Sequence, residues 1–122
     1  MTEQFRRHWY GSVDDIPEEA ELVPCLPLAS IIETFSFTHI DFFSLDVEGA
    51  ELEVLETLDL LAVHINVIVV EQDGGNPAKD EAVRQKLLSN NFEMDHSMKD
   101  TWAGNRNDWF VNKHFRRSEA LT

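Results

Sequence analysis

The run Ile65-Asn-Val-Ile-Val-Val70 is β-branched at every position except Asn66. A strand of that kind has no polar side to turn to water, so it must be covered on both faces. That requirement points to a layered sheet with helices packed over it. The neighbouring segments supply the other parts. Ile40-Asp-Phe-Phe-Ser-Leu45 is short and aromatic-rich, the pattern of a second strand. Between the two, Leu52, Leu55 and Leu58 recur at helical spacing with Val54 beside them, predicting a helix over 49–58. After the second strand, Glu71-Gln-Asp-Gly-Gly75 breaks the pattern, and Asn76 before Pro77 combines an N-cap with a first-turn proline. The helix they start runs to about Ser89, has Val83, Leu87 and Leu88 as its candidate buried residues, and stops at Asn90-Asn91.

The flanks extend this order. Leu22-Val-Pro-Cys-Leu26 reads as an edge strand, because Pro24 cannot donate to a ladder. Pro27 suits the first position of a helix whose apolar face is Leu28, Ile31, Ile32 and Phe35. Phe92–His96 and Asn107–Val111 are two closing strands joined by a loop over 97–106. The expected fold class is therefore α/β: a mostly parallel sheet with helices on its faces, right-handed crossovers and a C-terminal antiparallel strand pair. Residues 1–21, polar and carrying Asp14, Asp15, Glu18, Glu19 and Glu21, form a lead-in; 22–115 form the domain; 116–122 are a tail.

Composition narrows the function classes. A chain of 122 residues is ordinarily one domain. Its 23 acidic against 10 basic residues, a net charge of -13, argue against nucleic acid, whose phosphates need clustered Lys and Arg. The same balance argues against an anionic membrane surface. With Cys25 as the single cysteine, no internal disulfide can form, and the residue is expected to serve packing. No signal-peptide-like or membrane-spanning run is present, so a soluble cytoplasmic protein is the default expectation. His39, His64, His96 and His114 show no metal-ligand spacing.

In a parallel sheet, ligands sit beyond the carboxyl ends of the strands. Two acidic loops lie there. Asp46-Val-Glu-Gly-Ala-Glu51 sets three carboxylates around a helix entry, with Gly49 allowing a tight turn or close ligand approach. Asp46 capping the helix, with Glu48 and Glu51 complementing its dipole, is the simpler account of that spacing. The second loop starts at Glu71 and includes Asp73. Side by side, the two could hold a divalent cation through hard oxygens or orient and deprotonate a hydroxyl. Trp102 and Trp109 could line a pocket for that hydroxyl's carrier, or could equally belong to a closing hairpin.

Taken together, Val23-Pro-Cys-Leu-Pro-Leu28, Ser30–Phe35, His39 through Leu55 with its Asp-x-Glu-Gly-x-Glu block, Val67-Ile-Val-Val-Glu71 and Asn105–Val111 resemble the FkbM family of methyltransferases. The block falls on Asp46, Glu48, Gly49 and Glu51, and the second strand ends on Glu71. The resemblance spans about residues 22–115. It implies a partial Rossmann-like methyltransferase fold that moves a methyl from S-adenosylmethionine, usually to an oxygen of a sugar, lipid or small molecule. It implies catalytic roles for Asp46, Glu48 and Glu71, and cofactor contacts from Asp46, Glu48 and Gly49. A divalent metal at Asp46 with Glu71 or Asp73 is a further expectation, because some relatives use one.

The family's glycine-rich turn is missing. The glycines are Gly11, Gly49, Gly74, Gly75 and Gly104, and none sits in a G-x-G-x-x-G turn after a strand. The cofactor-binding N-terminal half is therefore expected to be absent from this chain, which would leave its activity alone in doubt. The alternative expectation is a non-catalytic interaction module on the same half-fold, self-associating through an exposed sheet edge.

Overall fold

The computed structural model describes residues 23–72, 74–98 and 107–115. Among the described residues the order is helix α1 (Leu28–Thr34), strand β1 (His39–Leu45), helix α2 (Glu51–Glu56), strand β2 (His64–Glu71), helix α3 (Pro77–Ser89), strand β3 (Phe92–Met94) and strand β4 (Asn107–Asn112). Each corresponds to a segment expected from the sequence, with shifted ends; β3 stops at Met94, two residues short of the expected His96. The α2 helix is shorter than its leucine pattern: Leu58 is buried but sits beyond the last helical turn. The expected edge strand at Leu22–Leu26 does not form over its described part. Residues 23–27 are irregular and exposed, Pro24 and Pro27 remove two ladder donors, and Cys25 is exposed rather than packed. Pro27 is the N-cap of α1, one place before the first helical turn. Leu28, Ala29 and Ile32 pack on the core while Phe35, expected on the same face, is 66% exposed. The helix has already ended at Thr34, and the backbone turns through Ser36 at φ 54°.

The four strands form one mixed sheet in the order β1-β2-β4-β3. Strands β1 and β2 are parallel, with Ile40 opposite Ile65 and Leu45 opposite Val70. Strand β4 runs antiparallel to both β2 and β3, with Val69 opposite Trp109 and Met94 opposite Phe110. The closing antiparallel pair is as expected, but the sheet is not mostly parallel: one pairing is parallel and two are antiparallel. The reason lies in the insertion of β4. Strand β3 points the same way as β2, yet it does not pair with it, because the final strand returns between them and opposes both.

The β-branched strand is the most buried of the four, as its composition demands. Ile65, Ile68 and Val70 join Leu45, Leu55, Leu58, Val83, Leu87, Phe92 and Phe110 in one apolar cluster. Helix α3 contributes Val83 and Leu87 on one face and packs on α2 and β3, while Leu88, one residue round the helix, is exposed. It starts as the sequence predicts, with Asn76 Oδ1 accepting the Lys79 N–H at 3.2 Å and Pro77 in the first turn. None of the described helices is long and apolar enough to cross a membrane.

Candidate functional site

The β1–β2 register decides where the acidic loops meet. The last paired residues are Leu45 and Val70, so the next positions along the two parallel strands are Asp46 and Glu71. Asp46 leaves the sheet at its carboxyl-terminal rim, and Glu71 is the last residue of β2 there. Glu48 joins them: one side-chain oxygen from each of Asp46, Glu48 and Glu71 lies within 4.8 Å of the other two. Asp46 and Glu48 are exposed and Glu71 is half-buried. The residues singled out from sequence thus converge, apart from Asp73, which lies outside the described residues. At this spacing each carboxylate pair repels by about 1 kcal/mol in water. That is small enough for the cluster to stand without an ion, and the three hard oxygens are a set that could hold a cation.

Capping does not explain Asp46. The N-cap of α2 is Ala50, which makes no side-chain cap, and Asp46 lies four residues upstream. The loop between them is shaped by its backbone. Glu48 adopts φ 52° and Gly49 φ 95°. Glycine takes such angles freely, but an L-residue in the left-handed region costs about 1–2 kcal/mol. Glu48 is therefore held in an unfavourable conformation by its surroundings, a feature that gathers at binding sites.

What holds the loop is Glu51, which sequence spacing had assigned to the helix dipole. Its side chain is 1% exposed. Oε1 accepts the N–H groups of Val47 at 3.2 Å and Gly49 at 3.0 Å. Oε2 accepts from Lys79 Nζ, which also lies 3.4 Å from Asp80 Oδ1. Burial alone would push the Glu51 carboxyl up; the Lys79 ammonium and the backbone amides outweigh it and hold the group below its ordinary range. Burial likewise tends to lower Lys79, but Glu51 and Asp80 outweigh it and leave the ammonium above its usual value. Lys79 was missed in the sequence. Its signal was a basic residue in the first turn of α3, where the helix dipole opposes it and an outside partner is required.

The far side of the rim is built by β4. Asn107 pairs with Glu71 across the ladder, and Trp109 pairs with Val69 two residues on, so both side chains share the face that carries Glu71. Beside them opens a cavity of about 230 Å³ lined by Met94, Asp95, His96, Asn107, Asp108 and Trp109, among others. Trp109 thus lines a pocket that shares Asn107 with the Glu71 pairing, while Trp102 is outside the described residues. At the opposite end of the sheet, the register stacks His39 on His64 with ring centroids 5.2 Å apart, a pairing invisible in their sequence separation.

The family model for the methyltransferase FkbM domain matches residues 2–94. No curated protein and no solved structure matches the chain.

Proposed function

The chain belongs to the methyltransferase FkbM domain family, and from that premise we propose that the Asp46–Glu48–Glu71 rim is where a methyl group from S-adenosylmethionine reaches an acceptor hydroxyl. The observation that supports it is the meeting of these three carboxylates, all within 4.8 Å, past the ends of two parallel strands. Open α/β sheets place their ligands in that position, and a Rossmann-like arrangement is part of this reading. The donor set fits the charged portion of the cofactor, because a cationic sulfonium and ammonium suit a ring of carboxylates. Asp46, Glu48 and the Gly49 backbone would hold that portion. When bound, the cofactor supplies an electrophilic methyl; the protein's task is positioning and proton removal.

Asp46 would orient the acceptor O–H and take its proton as the new O–C bond forms. A carboxylate is too weak a base to strip an alcohol beforehand, so the proton moves with the transfer and not ahead of it. Glu48 would steady the cationic side, and Glu71, half-buried and next to Asn107, would shape the acceptor side. The acceptor class proposed is a sugar, lipid or small molecule bearing a free hydroxyl. In a variant of this reading, Asp46, Glu48 and Glu71 would hold a divalent cation, whose charge would ease loss of the acceptor proton.

The test is transfer of a labelled methyl to a panel of hydroxyl acceptors by the full chain and by Asp46→Asn and Glu71→Gln. Loss of a general base should lower turnover about 10²–10⁴-fold in Asp46→Asn. Equal transfer by all three proteins would contradict the assignment. A second reading, a non-catalytic module that pairs through the sheet edge, draws on β1 being the outermost described strand on its side, with Phe42 54% exposed.

A further inference from the structure

Asn66 is the one residue that breaks the β-branched run 65–70, and the methyl-transfer chemistry gives it no task. We propose that His39 and His64, supported by Asp41 and Asn66, form a binding site for a zinc-like divalent ion at the end of the sheet opposite the carboxylate rim. The site is independent of the methyl-transfer reading, and neither depends on the other.

The parallel register sets His39 directly beside His64. Two positions further on, Asp41 and Asn66 come up on the same face of the two strands. The imidazoles stack with centroids 5.2 Å apart and planes inclined by 28°. The backbone under them is tied, since the His64 N–H donates to Thr38 O at 2.9 Å. Imidazole is the ligand that zinc, nickel and copper prefer, whereas the oxygens of the rim suit magnesium or calcium. The two ends of the sheet therefore differ in the ions they select.

The protonation of His39 is set by its neighbour. Its Nε2 lies 2.9 Å from Asp41 Oδ1. A carboxylate only accepts, so Nε2 carries the proton and Nδ1 keeps its lone pair. A carboxylate fixing one ring nitrogen while the other meets the ion is the usual support of a metal-bound histidine. Among the described residues, His39 Nδ1 and both ring nitrogens of His64 have no hydrogen-bond partner. Both rings are open to solvent, with the His39 side chain 50% exposed. The second side-chain torsion of histidine is broad, so a turn of the His64 ring brings a nitrogen to a shared ion at about 2.0–2.1 Å. Water takes the remaining coordination positions.

Asn66 explains how Asp41 keeps its place. Asp41 is a solvent-facing side chain, 87% exposed, and would otherwise be free to turn away. Asn66 is only 6% exposed, and its Nδ2 donates to the same Asp41 oxygen at 3.1 Å, 3.3 Å from His39 Nε2. Its own Oδ1 is buried with no partner. An unpaired buried oxygen weakens the fold, and a β-branched residue would serve this strand better. The amide thus costs stability and returns an anchored Asp41, which makes Asn66 a positioning residue for the His39 tautomer.

The experiment is calorimetric titration of the full chain with zinc ions alone, together with ring-nitrogen NMR shifts of its histidines. The proposal predicts saturable zinc binding that shifts the ring nitrogens of His39 and His64 and leaves those of His96 and His114 in place. His39→Ala and His64→Ala should each weaken zinc binding at least about tenfold, and Asp41→Asn about tenfold to a hundredfold. Asn66→Val should weaken zinc binding while raising the denaturation midpoint of the metal-free chain, a pair of effects that a merely structural residue would not give. No zinc binding by the parent, equal shifts in all four histidines, or unchanged affinity in both His39→Ala and His64→Ala overturns the site. Binding that survives in those two variants and disappears in Asp46→Ala puts the ion at the rim and overturns it as well. An unchanged zinc affinity in Asn66→Val overturns the positioning role.

Discussion

Two residues bear most of the weight at the rim without touching its open side. Glu51 and Lys79 form a buried ion pair that ties the β1–α2 loop to the start of α3. Removing one partner leaves the other charge buried and uncompensated, a loss that runs from about 3 kcal/mol upward. Lys79→Met should therefore lower stability by about 3 kcal/mol at neutral pH, measured by chemical denaturation. The pH dependence follows from the shifts. Glu51 lies below its ordinary value of 4.5, so its contribution is present above that value and is lost as pH falls through the lowered one. Lys79 lies above its ordinary 10.5, so its contribution is present below that and is lost as pH rises through the raised value. In Lys79→Met the burial of Glu51 loses its strongest counterweight, and protonating the carboxyl then relieves the fold. The stability gap between parent and variant should narrow as pH drops below 4.5. Glu48 gives the opposite kind of prediction. Glu48→Gly removes the cost of a left-handed L-residue and should raise stability by about 1 kcal/mol, while weakening whatever the three carboxylates hold. A thermal melt paired with a ligand titration checks both halves. Asp46, Glu48 and Glu71 were legible because strand ends announce themselves in sequence. Glu51's burial and its partner were not, because a contact between residues 28 positions apart leaves no local pattern.

The elements were legible in proportion to their apolar pattern. Strand β2, β-branched almost throughout, and α3, bracketed by Asn76-Pro77 and Asn90, lie where sequence puts them. The segment at Leu22–Leu26 misled because five mostly apolar residues mimic an edge strand, while Pro24 within it and Pro27 after it deny its described part a ladder. Pairing was the other gap. Strand composition shows that β4 exists but not that it inserts between β2 and β3, and that insertion is what brings Asn107 and Trp109 beside Glu71. The cap on α3 belongs to this scale, since Asn76 Oδ1 accepts the amide of Lys79 and so fixes the turn that aims the ammonium at Glu51. Asn76→Ala should cost about 1 kcal/mol, read as a lower denaturation midpoint with an unchanged denaturant slope. Asn76→Ser should recover most of it, because serine caps equally well.

Across the whole molecule, one sheet rim gathers carboxylates from the β1–α2 loop and the end of β2, with a pocket from the closing strands, within a chain whose net charge is -13. The same acidity is consistent with the proposal that the rim receives the cationic part of a cofactor. Family membership supplies methyl transfer as the activity to be explained. The α/β class followed from alternating strand-like and helix-like periods, whereas the mixed pairing of the sheet depended on long-range docking that periodicity does not encode. Calorimetric titration of the chain with S-adenosylhomocysteine, repeated on Asp46→Ala, tests the assignment of the rim most directly. The assignment predicts a binding heat for the parent that weakens at least about tenfold in affinity in the variant. No heat for the parent, or the same affinity in both proteins, would contradict it.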